Sequence, residues 1–264
     1  MSDKTPELEE DTKKSEPEQE SGKMSFLEHL DELRKRIVHV VIYVSVGFLV
    51  CIFFCKPIYD FLALPITRTL PKGVKLVFTK PTDPFTLYMK VALLAGIFLT
   101  LPLILYEVWK FIAPGLYRKE KRYIIPFLVS SMVLFLSGAA FCYYIVLPPA
   151  FQFLIQLGSS FTPMILINEY LDLTNTMLLG FGAIFEMPVL AAFLSMFGLV
   201  SAGFLLKYFK YAILVIVILA AVISPTGDAY NLLLWAAPMV MLYFLSIAVA
   251  AIFGRRRKKA KGLT

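Results

Sequence analysis

The stretch LTNTMLLGFGAIFEMPVLAAFLSMF, residues 173–197, carries a single charge, Glu186, near its middle. At 1.5 Å per residue such a run reaches about 38 Å as a helix, enough to cross a hydrocarbon core of about 30 Å. A carboxylate at the centre of a span costs roughly 2.5–3.5 kcal/mol on insertion scales, so it implies a partner, a proton or water. Gly182 and Ala183 leave room beside it on the same helical stripe, and Pro188 frees the carbonyl of Ile184 from its helical bond. Small residues, a loosened backbone and an acid together describe a polar notch turned toward protein or water rather than lipid. A protonated glutamate bonded to a neighbouring helix is the plainer alternative, and it stays open at this point.

Working outward, five more runs have the length or apolar character of spans: Ile37–Cys55, Leu87–Ile112, Tyr123–Leu147, Tyr208–Ile223 and Ala229–Phe253. The 264 residues are 58% apolar, with 23 Phe and 13 Tyr, well above the roughly 45–50% apolar content of a soluble domain. The expected fold is therefore an all-α membrane protein with six transmembrane helices in one domain, residues 24–254. A β-barrel needs short alternating segments, and these runs are continuous. The Tyr208–Ile223 run is the shortest, and the tight SPTGDAYN connection after it predicts a hairpin with the last span. Such a span requires thinned bilayer or shelter behind other helices.

The flanks differ in character. Residues 1–23 are acidic, bear Pro and Ser and lack a hydrophobic block, which predicts a disordered tail and no secretory signal. Residues 255–264 form a short basic tail. Bases also crowd Arg34–Arg36, the second connection (Arg118, Lys119, Lys121, Arg122) and the fourth (Lys207, Lys210), whereas the third and fifth connections have none. That asymmetry predicts both termini on the cytoplasmic side. The first connection dissents with five bases, for which contact with anionic head groups is one account. The first and third connections, rich in proline, then become structured caps on the outer face.

Chemistry-bearing residues are few. Cys51, Cys55 and Cys142 lie in apolar runs, an odd number that argues against a disulfide framework and reads as packed free thiols. No metal or cofactor is expected, and no phosphate loop, HExxH or GxSxG pattern suggests an enzyme. His29 and His39 read as interfacial. In SFLEHLDELRKRI, residues 25–37, Ser25 and Glu28 have capping-box spacing. Phe26, Leu30, Leu33 and Ile37 share one face, with Glu28, Asp31, Glu32, Lys35 and Arg36 on the other. Asp31–Lys35 and Glu32–Arg36 have pairing distance along the helix. Arg34, at the border of the apolar face, is expected to be tied to something beyond its own helix. In YEVWKFIAPGLYRKEKR, residues 106–122, Glu120 stands among four bases, where local neutralisation would contribute about 0–1 kcal/mol if exposed. Glu169 and Asp172, before the fourth span, read as acids favoured by a helix N-terminus.

Taken in register, HLDELRKR, YEVWKFIAPGLYRKEKR, FEMP and SPTGD resemble the TatC family, the six-span receptor subunit of the twin-arginine, Sec-independent protein translocase. The similarity covers about residues 24–254. It implies recognition of twin-arginine signal peptides on folded precursor proteins, assembly with TatA/TatB-type single-span subunits, self-association in the complex and use of the proton-motive force. It also implies a bacterial cytoplasmic (inner) membrane location and no nucleic-acid partner. By motif match, Glu32 and Glu120 meet the arginines, Arg34 braces them, Phe111 forms an apolar wall, and Lys35 and Arg122 are supporting charges. Glu186 becomes an intramembrane contact for a partner span, and Asp228 a candidate partner contact. Two carboxylates suit two guanidinium forks, because a planar acceptor favours arginine over lysine.

The rival reading is a proton-coupled small-solute secondary transporter working through Glu186. Against it stand the lack of an internal repeat and the expectation of only one strongly buried charge, whereas such transporters often show paired broken helices.

Overall fold

The computed structural model describes residues 26–71, 73–112, 124–223 and 228–260. The acidic tail, Glu120 and Arg122 lie outside the described residues. Among these, ten α-helices account for the architecture: α1 (Phe26–Cys51), α2 (Cys55–Thr67), α3 (Asp83–Ile112), α4 (Ile124–Phe141), α5 (Leu147–Leu157), α6 (Ile167–Ile184), α7 (Met187–Phe197), α8 (Ala202–Lys207), α9 (Phe209–Ile223) and α10 (Ala229–Ala260). Five helical stretches are long and apolar enough to cross a membrane, and Phe209–Val222 is a shorter sixth. The six-span expectation holds, short fifth span included.

Glycine sets how closely α1 and α3 approach. A Cβ on Gly47 would lie 2.7 Å from the Gly96 carbonyl oxygen, and one on Gly96 would lie 2.6 Å from the Phe48 amide nitrogen. Only hydrogen at both positions lets the two backbones touch, the way helices pack where lipid supplies no hydrophobic drive. Around this contact the exposure of α1 is the reverse of a soluble helix. Leu30, Leu33 and Ile37 are exposed, while Glu32 and Arg36 turn inward toward α3.

The expected outer caps are structured. A 3-10 turn, Ile52–Phe54, bends the chain from α1 into α2, and a π-turn, Cys142–Val146, leads from α4 into α5. Pro65 inside α2 removes the N–H that would bond the Phe61 carbonyl. Tyr143 replaces it, donating its hydroxyl to Phe61 O at 2.5 Å, and Tyr170 donates to Leu62 O at 2.6 Å. The two caps join through a parallel bridge, Val77 N–H to Ile165 O (3.0 Å) and Ile167 N–H to Val77 O (2.9 Å). This bridge is isolated, and no sheet forms among the described residues.

The fourth span is not one helix. It breaks between α6 and α7 at Phe185–Glu186, with Glu186 at the N-cap of α7 and Pro188 just inside it. Pro188, whose missing N–H was expected to free the Ile184 carbonyl, lies where the regular ladder is interrupted, while Phe185 and Glu186 keep right-handed helical dihedrals. The larger apolar core gathers Val91, Leu147, Leu171, Met177, Phe181 and Trp235. A second cluster packs Trp109, Phe127, Val189 and Phe193. The three thiols are free, two of them buried, as expected. The last helix continues into the residues expected as a basic tail, reaching Ala260.

Candidate functional site

The α1–α3 pair carries most of the charged side chains singled out from the sequence. Beyond the glycine contact, Tyr43 donates its hydroxyl to Glu107 Oε1 at 3.4 Å, and His39 Nδ1 lies 3.5 Å from the same oxygen. One turn further, Arg36 Nη1 donates to Glu107 Oε2 at 2.9 Å while its Nη2 donates to Glu32 Oε1 at 2.8 Å. At the end of the pair His29 stacks on Phe111. The contacts run as an antiparallel ladder, which places Glu32 beside Phe111 at one end of the two helices.

Burial separates the two acids. The Glu107 side chain is 3% exposed, that of Glu32 13% and that of Arg36 16%. A buried ion pair holds its charges only where hydrogen bonds satisfy them, and Glu107 has its Arg36, Tyr43 and His39 contacts for that. Glu32 differs: Oε1 accepts from Arg36, but Oε2 is buried without a hydrogen-bond partner among the described residues. Glu107 escaped the sequence reading altogether. One acid in YEVW at the end of an apolar run reads as interfacial, and its cation lies 71 positions away. The signal present was the stripe Leu103, Glu107, Phe111, at four-residue spacing on one face.

Arg34 and Lys35 are exposed. Among the described residues the tie from this segment to another helix is made by Arg36. At 100° per residue the two arginines lie about 200° apart, so only one can face α3. Of the two helical pairs expected, Glu32–Arg36 forms.

Glu186 sits half-buried at the α6–α7 break, its Oε1 without a hydrogen-bond partner among the described residues. Its neighbour Ser131 accepts from Trp109 Nε1 at 3.2 Å, so the notch touches α4 and, through the indole, the last turns of α3. Gly182 is pressed against Phe135, whose ring would lie 2.7 Å from a Cβ there. The room expected beside Gly182 is thus taken up by the Phe135 ring of α4. Glu186 is not the strongly buried acid expected to stand alone: among the described residues Glu107, 3% exposed, is the more buried.

Two other acids have roles of their own. Asp172 Oδ1 and Oδ2 each accept from Lys90 Nζ at 2.6 Å, so this acid joins α6 to α3, and the helix-terminus reading is corrected. Asp228 Oδ1 accepts from the Asn231 backbone N–H at 2.8 Å and its Oδ2 from the Asn231 side-chain amide at 3.0 Å. It caps the N-terminus of α10. No cluster of metal-ligating side chains occurs among the described residues.

A broken span with an acid at the break, two tied caps and a charged ladder between the first two long helices define a polytopic helical membrane protein. The family of Sec-independent protein translocase proteins, TatC, matches residues 28–238. The chain belongs to the TatC family. It is similar to the Sec-independent protein translocase protein TatC of Koribacter versatilis (strain Ellin345), 48% identical over 90% of this chain and 89% of that one. With its counterpart from Desulforapulum autotrophicum it is 41% identical over 90% and 88%. A crystal structure of the twin-arginine translocase receptor TatC superposes with a TM-score of 0.76 at 35% identity, covering 85% of this chain and 99% of that one.

Proposed function

We propose that this chain is the receptor subunit of a twin-arginine translocase, binding signal peptides at its cytoplasmic face through Glu32 and Glu120. The observation that carries the reading is Glu32, on the inward face of α1 and next to Phe111, with one carboxylate oxygen bonded and the other without a partner. A guanidinium presents a planar fork of donors that a carboxylate with both oxygens turned to it suits better than the single tip of a lysine does. Phe111, stacked on His29, offers the adjoining apolar wall, and the exposed Arg34 and Lys35 line the approach.

Under this reading both termini are cytoplasmic, the host membrane is the bacterial inner membrane, and the α2 and α5 caps lie outside. Single-span TatA/TatB-type subunits assemble on the receptor to move folded cargo with the proton-motive force. Glu186, at a helix break with one unbonded oxygen, offers such a span a polar contact and admits water into a bilayer already thinned by the short α9.

The test titrates the purified full-length protein with a signal peptide carrying Arg-Arg and with its Lys-Lys form. The expected result is tighter binding of the first, with the preference lost in Glu32→Gln plus Glu120→Gln. Equal binding of both peptides, or a double variant that still discriminates, rejects the receptor assignment.

A further inference from the structure

We propose that Glu107 is the reserve counter-ion that lets Glu32 exchange Arg36 for an incoming arginine. The inference rests on the signal-peptide reading above and adds a positioning residue to it. Glu32 cannot receive a guanidinium with its whole carboxylate while it neutralises Arg36. If Arg36 had no other acid, releasing Glu32 would leave an uncompensated cation in a largely buried place, which is strongly unfavourable. Glu107 removes that obstacle, because it bonds a different terminal nitrogen of the same guanidinium, at 2.9 Å, and keeps it when Glu32 turns away.

The charge count points the same way. Two carboxylates face one guanidinium, so with His39 neutral the group carries one surplus negative charge. One arginine from a peptide brings it to balance. With Gln at position 107 the resting group is already neutral, and the same arginine would leave it positive. Lys110 stands on the same end of α3, over the Tyr106 ring, and adds to the positive field that the surplus acid must offset. Burial assigns the roles between the acids. Glu107, 3% exposed, is held by Arg36, Tyr43 and His39, whereas Glu32, 13% exposed, sits at the end of the ladder with an Oε2 that is buried and unpartnered among the described residues, so it must turn to meet a peptide. The two acids are therefore not interchangeable binding groups.

A simple pin between α1 and α3 would use the same contacts, and the two roles part on one comparison. The full-length protein in detergent is titrated with the Arg-Arg and Lys-Lys signal peptides as wild type, Glu32→Gln, Glu107→Gln and Arg36→Gln/Glu107→Gln. Glu107→Gln keeps the shape and lowers Arg-Arg affinity about tenfold, equivalent to roughly 1.4 kcal/mol. Adding Arg36→Gln frees Glu32 and restores affinity to within about threefold of wild type, a rescue that a pin cannot give. Wild-type affinity in Glu107→Gln, or a double variant no tighter than the single one, overturns the exchange and leaves the receptor reading standing. Wild-type affinity in Glu32→Gln overturns both. If Glu107→Gln does not fold, the double variant, which removes both charges of the pair, decides alone: near wild-type affinity supports the exchange and lost affinity refutes it.

Discussion

His29 of α1 lies flat on Phe111 of α3, their ring centroids 4.3 Å apart and their planes 17° from parallel. The stack closes the end of the ladder away from the glycine contact, one turn beyond Glu32 on one helix and Glu107 on the other. Stacked rings of this kind contribute about 0.5–1.5 kcal/mol beyond their buried area. Phe111→Ala is expected to weaken Arg-Arg peptide binding by roughly three- to tenfold, while Phe111→Tyr, which keeps the ring, binds nearly as well as wild type. Peptide titration checks both; equal losses in the two variants would mean the wall is not what the peptide meets.

The Gly47–Gly96 contact sets the helix spacing on which this geometry depends. Gly96→Leu is expected to destabilise the protein by about 1–3 kcal/mol or more through overpacking, read as a lower thermal unfolding midpoint in detergent. Gly180→Ala is the control, since nothing lies within 4 Å of the added carbon. Comparable losses in both would mean that backbone freedom, and not close approach, matters.

Lys90 and Asp172 join α3 to α6 with both carboxylate oxygens at 2.6 Å, yet neither side chain is buried. A double-mutant cycle with Lys90→Met and Asp172→Asn is expected to give a coupling of about 1 kcal/mol or less. A much larger value in thermal unfolding would show that surrounding lipid excludes water from the pair.

Much of this architecture was legible because a bilayer imposes length and apolarity. The run from residue 87 to 112 reads as a span with no knowledge of its neighbours, and the short fifth span is visible from its length alone. Proline-dense connections also foretold caps, though not how Tyr143 and Tyr170 bond the carbonyls of α2. The site was legible in part. Glu32, Phe111 and Glu186 were picked out and meet partners, but pairings across helices depend on packing that one sequence does not print. Hence the sequence does not show that Arg36 ties α1 to Glu107, or that Asp172 is the partner of Lys90. The break at Glu186 was half visible, because Pro188 tells that a bond is lost but not that the helix parts.

Glu186 lies apart from the α1–α3 ladder, which divides its expected effects from those of Glu32. Glu186→Ala should leave Arg-Arg peptide affinity unchanged and lower transport of a folded precursor into energised inverted membrane vesicles. If peptide affinity fell along with transport, or if neither changed, that division of labour would be wrong.

The central claim is that Glu32 meets the guanidinium of the signal itself. A double-mutant cycle measures this most directly, crossing Glu32→Gln in the protein with Arg→Lys at each of the two peptide positions. A direct contact predicts a coupling of about 1.5 kcal/mol or more at one peptide position. Additivity within about 0.5 kcal/mol at both would contradict it.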